Sequence, residues 1–194
     1  EVDAAIRSMK IVLQSNQVDK ETKGKVLKDF MQYSTENPNV SAELDTVLDD
    51  EDSDKDPKDL ALFYLEQKEN AKALLYFAEA LEEYPTDYDV LKNLALLQID
   101  AQQFSQAVAT TTKALEVYPS QPLLYLLQGV AHNNTSAYKE ALESLEFGVD
   151  YIIDDTKMEA DFFTQMSVAY KGMGNMTKAT EFEQRAAKLS KQNN

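Results

Sequence analysis

The chain has 194 residues, 43% of them hydrophobic, with five Gly, five Pro and no Cys, which suits about one to two mostly helical domains and excludes a disulfide framework or a thiolate metal site. Its 34 acidic and 19 basic side chains leave a formal net charge of −15, which repels phosphate backbones and anionic headgroups and argues against nucleic-acid and membrane-surface binding. No apolar run approaches the ~20 residues that span a bilayer, and the sequence shows no signal peptide or lipidation motif.

In chain order, Val2, Ile6, Met9 and Leu13 form one apolar stripe, and Val26, Leu27, Phe30, Met31 and Tyr33 form another. They predict two helices, the second capped by Asp19. Aligning Pro38 with the later helix-closing prolines puts Leu13, Val26, Phe30 and Tyr33 in apolar slots, yet Gln14 and Val26 stand where small residues belong. Residues 1–53 are therefore either a degenerate repeat or a separate capping hairpin, followed by a short helix over Ser41–Leu48 that uses Leu44, Val47 and Leu48. The sequence starts with Glu rather than Met, as a processed or excised piece of a longer chain would. That start and the missing thiols suit a bacterial cell-envelope setting, and they fit a cytoplasmic one too.

The densest charge, Asp49 to Asp56, alternates as a calcium loop would. An EF-hand starting at Asp50 would place Asp52 and Asp54 correctly but needs Gly where Lys55 stands and Glu where Ala61 stands. A self-repelling linker fits better, its carboxylates favouring the N-terminus of a helix that begins at Pro57. No metal or other cofactor is expected.

From there the apolar residues recur at helical spacing in pairs of segments. Leu60, Ala61, Tyr64 and Leu65 are followed by Ala73, Leu74, Phe77, Ala80 and Leu81, and then by Pro85, which stops the second helix. Asp87 caps the next pair, with Leu91, Leu94, Ala95 and Leu97 and then Ala107, Val108, Thr111, Ala114 and Leu115, closed by Pro119. A third pair uses Leu123, Leu124, Tyr125, Leu127 and Val130, a polar turn at Asn133–Ser136, and Ala141, Leu142, Leu145 and Gly148. Shifted by 34 residues, Ala73, Ala107 and Ala141 coincide, as do Ala80, Ala114 and Gly148. A fixed period of this length marks a stacked array, with small residues where helix backbones approach closely.

These residues resemble the tetratricopeptide repeat, whose signature runs W-x2-L-G-x2-Y, A-x3-F, A, P. Its slots hold Pro57, Leu60, Ala61, Tyr64, Ala73, Phe77, Ala80 and Pro85 in the first unit. The second unit offers Leu91, Leu94, Ala95, Gln98, Ala107, Thr111, Ala114 and Pro119, and the third Tyr125, Gln128, Gly129, His132, Ala141, Leu145 and Gly148, with Ile153 in the proline slot. A fourth arrives four residues late, after a longer loop at Asp154–Lys157, with Phe163, Met166, Ser167, Tyr170, Ala179 and Ala186 and with Gly174 at the turn. The resemblance implies an all-α, right-handed superhelix of stacked antiparallel helix pairs, with units at 54–87, 88–121, 122–155 and 160–190 and a fraying tail at 191–194. Glu183 fills the last Phe slot, so the final helix presents a polar outer face that ends the array near Leu189.

Catalysis finds little support. His132 is the sole histidine and falls in a Tyr slot, where a packed or half-buried ring is expected. No phosphate loop, paired-His motif or nucleophile elbow occurs. The resemblance implies instead that first helices line a groove, here by Lys58, Leu62 and Leu65, then Lys92, Leu96 and Ile99, then Leu126, Val130 and Asn133, then Val168. Lys58 and Asn93 match two positions of the family's clamp for chaperone C-terminal carboxylates. Leu62, Leu123 and Leu127 occupy the other three, so that ligand is not expected. The function expected is a non-catalytic scaffold for a peptide or partner protein, with self-association as the alternative and no small-molecule substrate.

Overall fold

The computed structural model describes residues 2–15, 17–37, 40, 44 and 56–192. Ten α-helices and no strand occur among them: α1 Val2–Gln14, α2 Lys20–Glu36, α3 Pro57–Glu66, α4 Asn70–Glu83, α5 Tyr88–Asp100, α6 Phe104–Val117, α7 Pro122–Asn134, α8 Tyr138–Val149, α9 Thr156–Gly172 and α10 Met176–Gln192. The chain divides into two compact units, Glu1–Ala80 and Leu81–Asn194. The expected helix over Ser41–Leu48 lies outside the described residues except for Leu44, which is buried. The acidic run lies outside them as well, up to Asp56.

Short polar signals set the helix ends. Asp19 accepts from the Thr22 N–H at 2.9 Å, Asp56 from Lys58 at 2.8 Å, Asp87 from Val90 at 3.0 Å and Asp155 from Met158 at 2.9 Å, each satisfying an otherwise orphaned donor of a first turn. α4 ends at Glu83 and α6 at Val117, two residues ahead of Pro85 and Pro119. α10 runs through Gln192, past the expected end near Leu189.

The turn inside each pair is one motif used four times. Lys68, Gln102, Ser136 and Gly174 all adopt positive φ, at 61°, 58°, 61° and 78°, and they follow one another at the repeat spacing, lengthened once before Gly174 by the 150–155 connection. In each case the next residue's N–H reaches back five residues: Glu69 to Tyr64 O, Gln103 to Gln98 O, Ala137 to His132 O and Asn175 to Tyr170 O. This is the Schellman closure, whose left-handed position glycine fills without steric cost. Only the last repeat has the glycine.

In the second unit the small residues seat neighbouring helices against each other. Ala107, Ala114 and Ala141 are completely buried. A Cβ on Gly148 would overlap Tyr125 and stand 2.9 Å from Phe162 Cε1, and one on Gly129 would stand 2.6 Å from Leu145 Cδ2. Around this contact Tyr125, Leu142, Leu145, Phe162, Phe163 and Met166 form one buried cluster, and Leu91, Ala114 and Leu124 form another. Polar clips tie helix to helix: Gln128 donates to Thr112 Oγ1 at 3.0 Å and accepts from Ser144 at 2.8 Å.

Two stability changes of opposite sign follow from this packing. Gln102→Gly relieves a left-handed side chain and is expected to stabilise by about 0.5–1 kcal/mol in urea unfolding, net of the entropy a glycine adds to the unfolded chain. Gly148→Ala is expected to cost about 1–3 kcal/mol in the same assay, because the methyl has no room beside Tyr125 and Phe162. A neutral Gly148→Ala would mean that the backbones are not in close contact there.

Candidate interaction face

In the first unit, α3 carries Lys58, Leu62 and Leu65, all half-buried. Lys28 Nζ of α2 meets Asp59 Oδ2 of α3 at 3.0 Å, and Gln67 Nε2 donates to Thr35 Oγ1 at 2.8 Å. Because both numbers rise together, α2 and α3 run side by side in the same direction. α7 and α9 also lie side by side, with the Asn133 amide reaching Gln165. Both α7 and α9 are first helices of their pairs, so α2 stands to α3 as one first helix stands to the next. The alignment on Pro38 had instead placed Val26, Phe30 and Tyr33 in second-helix slots.

Between α2 and α3 lies an open groove of about 660 Å³. Met31 and Phe63 are buried at its floor, and Asp29, Glu36, Asp59 and Glu66 stand along it with Lys28.

In the second unit, α5, α7 and α9 carry the remaining candidates. Leu96 and Val168 are 39% and 43% exposed, while Asn93, Ile99, Leu126 and Val130 are half-buried. Leu126 leans against the Tyr125 cluster. Lys92 pairs with Asp89 at 2.6 Å and lies 5.3 Å from the centre of the Tyr88 ring. Asn133 is only 7% exposed; its amide donates to Gln165 O at 3.0 Å and Gln165 Oε1 at 3.1 Å, so it joins two helices within the protein. Among the described residues, no group of three or more His, Asp or Glu could hold a metal ion, and no helix is long and apolar enough to cross a membrane.

The tetratricopeptide-repeat family model matches residues 64–130. Those residues, about a third of the chain, are similar to tetratricopeptide repeats. Solved structures share the fold: MamA MSR-1 at 18% identity covers 87% of this chain and 97% of its own with a TM-score of 0.68. MamA from Desulfovibrio magneticus RS-1 gives 15%, 87%, 95% and 0.68, and MamA AMB-1 gives 18%, 85%, 98% and 0.67. At these identities the likeness is one of fold. No curated protein matches the chain in sequence. The repeat family and its fold are those of protein-interaction scaffolds, which are typically non-catalytic.

The α2–α3 groove is what reading the sequence from its prolines misses. The signal was present: the repeat interval carries Val26 onto Leu60 and Phe30 onto Tyr64, and Phe30 and Tyr64 are both buried.

His132 occupies its Tyr slot as a half-buried ring. Burial lowers its pKa from the ordinary 6.5, outweighing the carboxylates of Glu140 and Glu143, which pull it up. The folded chain therefore binds this proton less readily than the unfolded one. The histidine costs no stability when neutral in both states, and it destabilises the fold as pH drops below about 6.5 until the folded ring also titrates. His132→Tyr is expected to shrink the fall in Tm between pH 7.5 and pH 5.5 by an amount set by this residue alone. An unchanged fall in the variant would show that the ring does not carry this penalty.

Proposed function

We propose that the chain is a non-catalytic scaffold that binds a peptide or partner protein on the first-helix face of its repeats. The observation that carries this reading is the repeated exposure of aliphatic side chains at one register position. Leu62, Leu96, Val130 and Val168 follow one another at the repeat spacing, lengthened once by the 150–155 connection. Leu96 and Val168 of this set are well exposed. A stacked array can bury these positions, so leaving them partly bare on successive first helices supports use as apolar anchors for a bound chain. The half-buried Ile99 and Leu126 extend the strip.

Selection of a phage-displayed peptide library on the intact chain tests the reading. Enriched peptides are expected to bind at least tenfold more weakly to Leu62→Asp, when held by the first unit, or to Leu96→Asp or Val168→Asp, when held by the second, and to bind Val117→Asp as tightly as the parent. Val117 is 43% exposed on a second helix, so it controls for a general effect of an added surface charge. Selected peptides that ignore Leu62→Asp, Leu96→Asp and Val168→Asp alike, or a library that yields none, would contradict the proposal.

A further inference from the structure

We infer that the groove between α2 and α3 receives a basic segment of the partner, an apolar anchor residue flanked by Lys or Arg. This rests on the first-helix face being the binding surface and adds the chemistry of what binds in its first unit. Three features select the occupant.

The floor is apolar, made by Met31 and Phe63, with Leu62 half-buried beside them. That favours a hydrophobic side chain over a fully solvated ligand. The rim is acidic. Asp29, Glu36, Asp59 and Glu66 face a single lysine, Lys28, and that lysine is already engaged with Asp59. Among the described residues Asp29 and Glu66 meet no cation. Cationic side chains laid along the rim neutralise its excess of negative charge and speed the approach of a basic partner.

The groove is also long. A second recess of about 280 Å³ adjoins it, sharing Lys28, Met31 and Asp59 and adding Leu27, Asp56 and the Glu21–Lys25 ion pair. Together the two recesses extend along α2 from Glu21 to Glu36, about 22 Å at the helical rise. That length accommodates roughly seven residues of extended peptide, which suits a chain segment more than a small molecule. A second copy of this protein, at a net charge of −15, would bring like charge to the rim, and a nucleic acid would do the same.

The test again uses a displayed peptide library on the intact chain, now read for composition. Enriched peptides that Leu62→Asp weakens are expected to carry an excess of Lys and Arg around an apolar residue, and to bind at least tenfold more weakly when Asp29→Asn and Glu66→Gln are combined. Glu181→Gln with Glu183→Gln removes the same charge from exposed positions on α10 and is expected to leave binding unchanged. Raising salt weakens the parent complex and has less effect on the Asp29→Asn, Glu66→Gln protein. Peptides without a basic excess that fail on Leu62→Asp would overturn this inference and leave the first-helix face standing. Basic peptides weakened equally by the α10 control would overturn it as diffuse charge attraction. A library yielding no peptide would remove both proposals.

Discussion

Close approach of helix backbones is the constraint on which the rest of this structure depends. Where Gly148 lies against Tyr125 and Phe162, and Gly129 against Leu145, the helices have no space for even one more methyl. Ala114, one repeat before Gly148, and Ala95, one repeat before Gly129, are completely buried as well. A contact this tight fixes the relation of one helix to the next, and repeating it at constant spacing repeats that relation. The lateral order of first helices, and so the spacing of side chains on their exposed face, is a consequence of residues that never reach that face.

This separation explains what the sequence could show. The helix pairs were legible because their core positions recur with a fixed period and because Pro85 and Pro119 mark where second helices stop. The caps at Asp19 and Asp87 were legible for a similar reason, since a carboxylate ahead of an apolar run has a local job. The turn conformation was not. Lys68, Gln102 and Ser136 take a backbone shape that favours glycine, and only their spacing from Gly174 reveals it. Helix pairing tolerates that local cost because the Schellman bonds and the buried lattice outweigh about 1 kcal/mol per turn.

The candidate face was legible only as a set of register positions. Leu96 and Val168 are exposed, but Asn133, at a position of the same kind, is consumed by its bonds to Gln165. Periodicity identifies which side of a helix a residue occupies, whereas exposure depends on neighbours far away in sequence. The N-terminal region shows the limit most clearly. Choosing Pro38 as the reference hides the relation of α2 to α3, which the Lys28–Asp59 pair and the Gln67–Thr35 bond disclose. The two units also differ in character, the first bearing an acidic groove and the second a mostly aliphatic strip.

The most direct measurement is nuclear magnetic resonance mapping of the isotope-labelled chain during titration with a peptide that it binds. Exposure of first helices for binding predicts that amide shifts concentrate on α2 and α3 in the first unit or on α5, α7 and α9 in the second, with α6 and α8 little changed. Perturbations gathered on α6 and α8, or spread evenly over the turns, would contradict it.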